Sequence, residues 1–245
     1  MNDKLQQIDT LLGELNQYRA NENYRITEAL EIEYTYDSNR IEGNTLTLHE
    51  TDMVVNKGIT IAGKGLREHL EAINHKEAID FIKDVAQKKE PISERVLLDI
   101  HAIVLHSIDK DNAGKYRRVP VIISGSKHIP PQPYLLQPKM DELFQWYETN
   151  KDSMHPVVLA AQMHEKLVSV HPFIDGNGRT ARLLMNLILM QHGYPIANIK
   201  GDNETRRRYY ETLEEASSGD NSAFLEFIED VVIQSLTYYL KIIRG

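Results

Sequence analysis

Within twelve residues, His171-Pro-Phe-Ile-Asp-Gly-Asn-Gly-Arg-Thr-Ala-Arg182, the chain gathers an imidazole, a carboxylate, two glycines flanking an asparagine, and two guanidiniums. An imidazole titrates near working pH and can take a proton from a hydroxyl. A carboxylate supplies the oxygen ligand that Mg²⁺ prefers. Arg179 and Arg182 stand three residues apart, one helical turn, a spacing suited to clamping a polyphosphate. Gly176 and Gly178 let the main chain approach a ligand that any Cβ would hold off. A plain turn between buried helices explains the glycines. It does not explain a His, an Asp and two Arg gathered at one helix mouth.

Residues 157–170 read as a helix with Pro156 in the first turn, where a missing N–H is tolerated. Leu183 to Gln191 is a second apolar run, closed by Gly193. The reactive residues therefore occupy a short loop that opens a helix, where unpaired N–H groups and the helix dipole favour anions. Helical patterning continues through most of the chain. Residues 2–20 place Leu5, Ile8, Leu11, Leu12 and Leu15 on one face, and a second helix runs from Tyr24 to Glu42 with Gly43 to close it. Thr47 and Glu50 form a capping box for a helix ending near Gly58. Leu66 to Gln87 follows, with Leu66, Leu70, Ile73, Ala78, Phe81, Ile82 and Val85 as its predicted inward face. Ser93 caps a helix to about Ser107, Pro138 opens one to Asn150, Asn203 to Ser217 is helical, and Asp220 caps a last helix to about Ile243. Residues 109–135 break the pattern. Val119 to Ile123, a Ser124-Gly125-Ser126 turn and Ile129-Pro130-Pro131 predict a β-hairpin whose prolines belong on an edge. The expected fold is all-α, with a short β-hairpin flap at about 117–134.

Composition is that of an ordinary globular chain: 245 residues, 41% hydrophobic and 26% charged. The 36 acidic against 28 basic side chains give a net charge of −8, which disfavours nonspecific nucleic-acid binding. With no cysteine, disulfide and thiolate chemistry are excluded. The polar N-terminus lacks a signal peptide's apolar stretch, and the longest apolar run, Leu183 to Met190, contains Asn186 and is too short to span a membrane. A cytoplasmic protein without a membrane partner is expected. His164-Glu165 begins like the zinc motif H-E-x-x-H, but Val168 stands where the second histidine must be, and the motif fails.

The twelve-residue stretch resembles the signature of the Fic family, H-P-F-x-[D/E]-G-N-G-R-x-x-R, at every specified position. Further upstream, Ser38-Asn-Arg-Ile-Glu42-Gly43 is similar to the family's inhibitory motif, [S/T]-x-x-x-E-[G/N]. The resemblance implies a Fic helical fold and a protein adenylyltransferase, taking AMP from ATP with Mg²⁺ present. It implies that His171 is the base, that Asp175 holds the ion, and that Gly176, Asn177, Gly178, Arg179 and Arg182 cradle the phosphates. Glu42 would pair with Arg182 and occupy the guanidinium that the γ-phosphate needs, making the chain auto-inhibited. Tyr210 matches the family's adenine-pocket tyrosine, and Ser217 stands where an asparagine is common; serine lacks the amide's donor–acceptor pair. Ile123, Ser124 and Gly125 would lie in the flap that registers a protein target by strand addition. The implied division is an N-terminal helical region, 1–90, carrying the inhibitory helix at about 24–43, and a catalytic core, 91–245. The implied partner is a protein with a Ser, Thr or Tyr hydroxyl, the chain itself included, and a symmetric dimer follows by analogy.

Three rivals share this evidence. The same scaffold serves transfer of other phosphate-containing groups, and the same glutamate can position water to remove AMP. A nucleotide-responsive regulatory protein without catalysis is the non-enzyme alternative, against which the intact signature speaks.

Overall fold

The computed structural model describes residues 3–21 and 24–244; residue 2, where the first helix was expected to open, lies outside the described residues. Among the described residues the longer elements are helices: α1 (Asp3–Tyr18), α2 (Tyr24–Ile41), α3 (Leu48–Lys57), α4 (Leu66–Gln87), α5 (Glu94–Val104), α6 (Leu136–Asn150), α7 (Pro156–Val170), α8 (Asn177–Gln191), α9 (Asn203–Ser217) and α10 (Ser222–Arg244). Their limits follow local chemistry. Thr47 and Glu50 form the reciprocal capping box that starts α3, and Gly58 ends it at φ 63°. Ser93 caps α5 and Asp202 caps α9, its carboxylate accepting from the N–H groups of Glu204 and Thr205. α5 stops at Val104, short of the expected Ser107, which sits past its end at φ 59°.

α8 is the axis of the fold. Leu183, Leu184, Met185, Leu187, Ile188 and Leu189 are all fully buried, the mark of a helix enclosed on every side. It packs against α7, α4 and α5, with α10 and α6 behind α7 and α1 along α10. Each buried Leu or Ile contributes about 1.5–3 kcal/mol. Asn186 is buried among them without penalty, because its side chain bonds both the N–H (2.8 Å) and the C=O (3.1 Å) of Ala197. No helix among the described residues is long and apolar enough to cross a membrane.

Two expectations need correction. The inner face of α4 near its start is His69, Ala72 and His75, whereas Leu66 is 73% exposed. Polar groups turn inward there because they face polar partners: His69 reaches the N–H of Ile61, and His75 reaches Thr35. The β-hairpin is also absent, since no strand forms among the described residues. The tight turn is present, with Ser126 N donating to Ile123 O (3.2 Å) and Gly125 at φ 81°. The ladder is not. Pro120, Pro130 and Pro131 have no N–H to give, and the buried Arg117 takes the carbonyls of Val119 (3.0 Å) and Pro131 (2.6 Å). One guanidinium thus joins the two limbs where backbone rungs were expected. The resulting arm is tied to α9 through Glu214, which accepts from the Ser126 hydroxyl and from Lys127 N (2.8 Å).

Burial holds His101 down to about 4 and His164 to about 3, so both are neutral in the fold. Their native values lie below the unfolded value, so they gain protons on unfolding. Their share of stability is complete above pH 6.5 and is lost as pH falls toward 4 and 3. From pH 6.5 to 5 the pair is expected to cost about 3 kcal/mol. Urea denaturation at the two pH values measures this, and equal stability at both would contradict it.

Candidate functional site

α7 ends on His171, which adopts the left-handed conformation at φ 48°, ψ 57° while its N–H still donates to Leu167 O (3.0 Å). A non-glycine residue is strained there by about 1–3 kcal/mol. Arg117 holds the strained turn, its Nε donating to His171 O at 2.9 Å and its N–H to Pro172 O at 2.9 Å. Phe173, fully buried, stacks on the His101 ring at 3.6 Å and anchors the loop. His101 accepts from Gly114 N at Nδ1 and so donates from Nε2 to Asp175 O, both at 3.0 Å.

Asn177 closes the loop on itself. Its Oδ1 accepts from Phe173 N (3.0 Å) and its Nδ2 donates to Phe173 O (2.9 Å), which fixes the side chain while leaving one lone pair and one N–H unused. Gly176 caps α8 at φ 77°. At Gly178 a Cβ would collide with Glu42 Oε1 and stand 3.0 Å from Arg182 Nη1, so a larger residue there would have to push the Glu42 carboxylate aside.

Asp175 accepts from Gly176 N (2.6 Å), pairs with Arg67, and lies 3.4 Å from Arg179. Burial alone would raise its pKa, but Arg179, the Gly176 N–H and Arg67 bring it below the usual range, keeping it a carboxylate. Arg179 is buried against Glu71 (3.5 Å), and its Nε finds no hydrogen bond among the described residues. Arg182 is 1% exposed and makes four hydrogen bonds: Nε to Ser38 Oγ (3.1 Å), Nη2 to Ser38 O (2.9 Å) and Glu42 Oε1 (2.7 Å), and Nη1 to Tyr209 OH (3.3 Å). Burial disfavours its charge, yet Glu42 and the Tyr209 hydroxyl more than offset this, and its pKa rises. Glu42 is brought there by the end of α2, where the N–H groups of Glu42 and Gly43 donate to Asn39 O and Arg40 O and Gly43 turns away at φ 98°.

A cavity of about 820 Å³ opens over these groups, lined by Glu42, His171, Gly178, Arg182, Tyr210 and Ser217, and on the arm side by Ile123, Ser124 and Gly125. Asp175, Gly176, Asn177 and Arg179 are not among its lining residues, and neither are Ser38 and Gly43. The Tyr210 hydroxyl donates to Ile41 O (3.1 Å) and that of Ser217 to Glu214 O (2.7 Å). Tyr210 therefore touches the end of α2 as well as the cavity. Several residues here had no sequence signal: Arg67, His101, Arg117, Tyr209 and Glu214 reach the site from distant segments. Of these, Tyr209 lay next to Tyr210, which was singled out by its match to the family's tyrosine.

Burial, aided by Arg117 and His128, lowers the His171 pKa to about 4, with Val168 and Glu42 acting the other way. The imidazole is thus unprotonated at neutral pH, the form a base requires. In the nucleotide-free protein its Cε1–H NMR signal is expected to titrate near pH 4; a midpoint at the ordinary 6.5 would contradict the burial described.

For Mg²⁺, the test is the donor set at the loop. Asp175 is a charged carboxylate with a side chain 39% exposed, and no group of three or more metal-ligating His, Cys, Asp or Glu residues occurs among the described residues. One carboxylate fits an ion that keeps several waters and is held mainly by substrate phosphates.

Residues 91–189 match the Fic/DOC family. The chain is 39% identical over 210 residues to Protein adenylyltransferase Fic of Nematostella vectensis, an alignment covering 85% of this chain and 48% of the relative. It spans about half the length of the curated relatives it matches. Among solved structures, a Fic-1 fragment from C. elegans is 31% identical with a TM-score of 0.87, covering 98% of this chain and 72% of that one. A Fic-domain signalling protein from Bacteroides thetaiotaomicron is 28% identical with a TM-score of 0.88, covering 99% and 97%.

Proposed function

Because the chain belongs to the Fic/DOC family, we propose that it is a protein adenylyltransferase that moves AMP from ATP to a Ser, Thr or Tyr hydroxyl of a protein, itself included. The observation that carries this reading is one cavity lined by a neutral histidine and a buried arginine. The target hydroxyl gives its proton to His171, through Nε2, since Nδ1 is buried. Its oxygen bonds to the α-phosphorus as the bond to the β-phosphate oxygen breaks, and pyrophosphate leaves. Arg182 meets the negative charge of the leaving phosphates, with the N–H groups opening α8 beside it. Asp175 would hold Mg²⁺, which when bound neutralises phosphate charge. Tyr210 and Ser217 are assigned to the adenine side, and the arm at Ile123, Ser124 and Gly125 to target docking, with a symmetric dimer as the proposed assembly.

In this reading residues 1–90 regulate and residues 91–245 catalyse. Glu42 holds the guanidinium that the γ-phosphate requires, so nucleotide binds without the productive phosphate pose. A second reading, removal of AMP by water that Glu42 positions, is favoured by the 34% exposure of that side chain in the cavity that His171 also lines.

The test uses Glu42→Gly protein with Mg²⁺ and ATP labelled at the α- or the γ-phosphate. Protein-bound label from α alone supports AMP transfer. Label from γ makes the chain a phosphate transferase, and no label from either with a panel of protein acceptors discards the transfer reading.

A further inference from the structure

Arg182 makes four hydrogen bonds, and three of them go to one element. Ser38 Oγ, Ser38 O and Glu42 Oε1 all belong to the end of α2. The fourth runs to the Tyr209 hydroxyl on α9, whose ring also lies 5.8 Å from the guanidinium carbon. Withdrawal of the α2 end would leave Arg182 with Tyr209 alone.

Tyr209 is in turn held by His164 on α7, its hydroxyl 3.0 Å from Nε2. The direction of that bond follows from chemistry. A guanidinium only donates, so Tyr209 accepts from Arg182, and His164 Nε2 is the acceptor within reach of the Tyr209 proton. His164 then accepts at Nε2 and carries its hydrogen on Nδ1. Neutrality of the ring suits this role, since burial and the neighbouring Arg182 keep His164 unprotonated. That Nδ1 is buried and finds no hydrogen-bond partner among the described residues. The ring is otherwise packed as an apolar side chain would be, 5.3 Å from Phe224 and nearly parallel to it. An orphaned buried N–H costs folding stability, and a phenylalanine here would trade that cost for an unpaired Tyr209 O–H. What the histidine supplies is the acceptor that fixes Tyr209.

We infer that Tyr209 and His164 are positioning residues that hold Arg182 for the terminal phosphates of the nucleotide when α2 no longer does; this rests on the transfer reading above. His164 is thus the first residue of the failed H-E-x-x-H pattern given a separate purpose. The pair acts through Arg182: Tyr209 reaches the cavity wall beside it, and His164 stands behind Tyr209, off the lining.

The experiment starts from the full chain carrying Glu42→Gly and adds His164→Phe, Tyr209→Phe or His164→Gln. Calorimetry with Mg²⁺ measures binding of AMP-PNP, which has β- and γ-phosphates, and of AMP, which lacks them. Tyr209→Phe and His164→Phe are expected to weaken AMP-PNP about tenfold and to leave AMP unchanged. His164→Gln, whose amide oxygen can accept from Tyr209, is expected to recover most of the loss. Thermal unfolding of His164→Phe should show no loss of stability. Equal weakening of both nucleotides, or weakening of neither, overturns the inference while leaving AMP transfer standing. Failure of the Glu42→Gly parent to bind either nucleotide would overturn both readings.

Discussion

Replacing Glu42 by glycine is expected to raise AMP incorporation about a hundredfold, the scale on which a single preorganised phosphate contact acts. The carboxylate is 2.7 Å from Arg182 and lies against Gly178, so its removal frees both a guanidinium edge and the space over the start of α8. The same substitution strips a buried arginine of its counter-charge. The nucleotide-free variant should therefore melt below the parent, and ATP with Mg²⁺ should raise its Tm by more than it raises the parent's. Incorporation of α-labelled AMP and paired melting curves measure the two effects. An unchanged rate would remove Glu42 from any inhibitory role, and a raised rate without the nucleotide-dependent rise in Tm would mean that Arg182 is not what Glu42 restrains.

His171→Ala, placed in the Glu42→Gly chain, is expected to lower kcat by about 10²–10⁴, the usual contribution of a positioned base. Nucleotide affinity should stay the same, since the imidazole is assigned to the incoming hydroxyl and not to the phosphates. A loss in kcat without a change in binding is the signature of an interaction made only in the transition state. Weakened nucleotide binding with kcat preserved would instead make His171 a phosphate ligand. The strained main chain at His171 adds a control: alanine at φ 48° is no easier than histidine, so circular dichroism should show the helix content unchanged.

The sequence made the helices legible because their ends are written in local chemistry. The Thr47–Glu50 box, Gly58, Ser93, Asp202 and the run to Gln191 all fall where capping rules place them. The mouth of α8 was legible for the same reason, as its residues are contiguous. What could not be read were arrangements set by distant partners. The arm's limbs have strand-like composition, yet Arg117 joins their carbonyls, and no local pattern marks an arginine for that task. The predicted face of α4 counted apolar residues, while the helix turns His69 and His75 inward toward polar groups. Asn177, assigned to the phosphate cradle by resemblance, also closes the loop through its amide on Phe173. Tyr209 and His164 are far apart in the chain, and only the packing of α7 against α9 makes them neighbours.

α2 has an inner face unlike that of α8. Of its buried residues, Glu31, Thr35, Asp37, Ser38 and Asn39 are polar, and they meet Lys76 and Lys83, His75, Asn198 and Gly201, Arg182, and the Glu71 carbonyl. A seam of this kind gains little on closing, because each group exchanges one polar partner for another and loses hydration in doing so. Ile32, Tyr34 and Ile41 are the apolar side chains that α2 buries, and their transfer energy, with the buried ion pairs, is what opening it must overcome. The helix is accordingly held by fewer apolar anchors than α8, and any minor state in which it opens is the one in which Arg182 loses Ser38 and Glu42. Its leakage through that minor state would set a floor of activity in the unaltered chain, and any surface offering α2 equivalent partners would tune that floor.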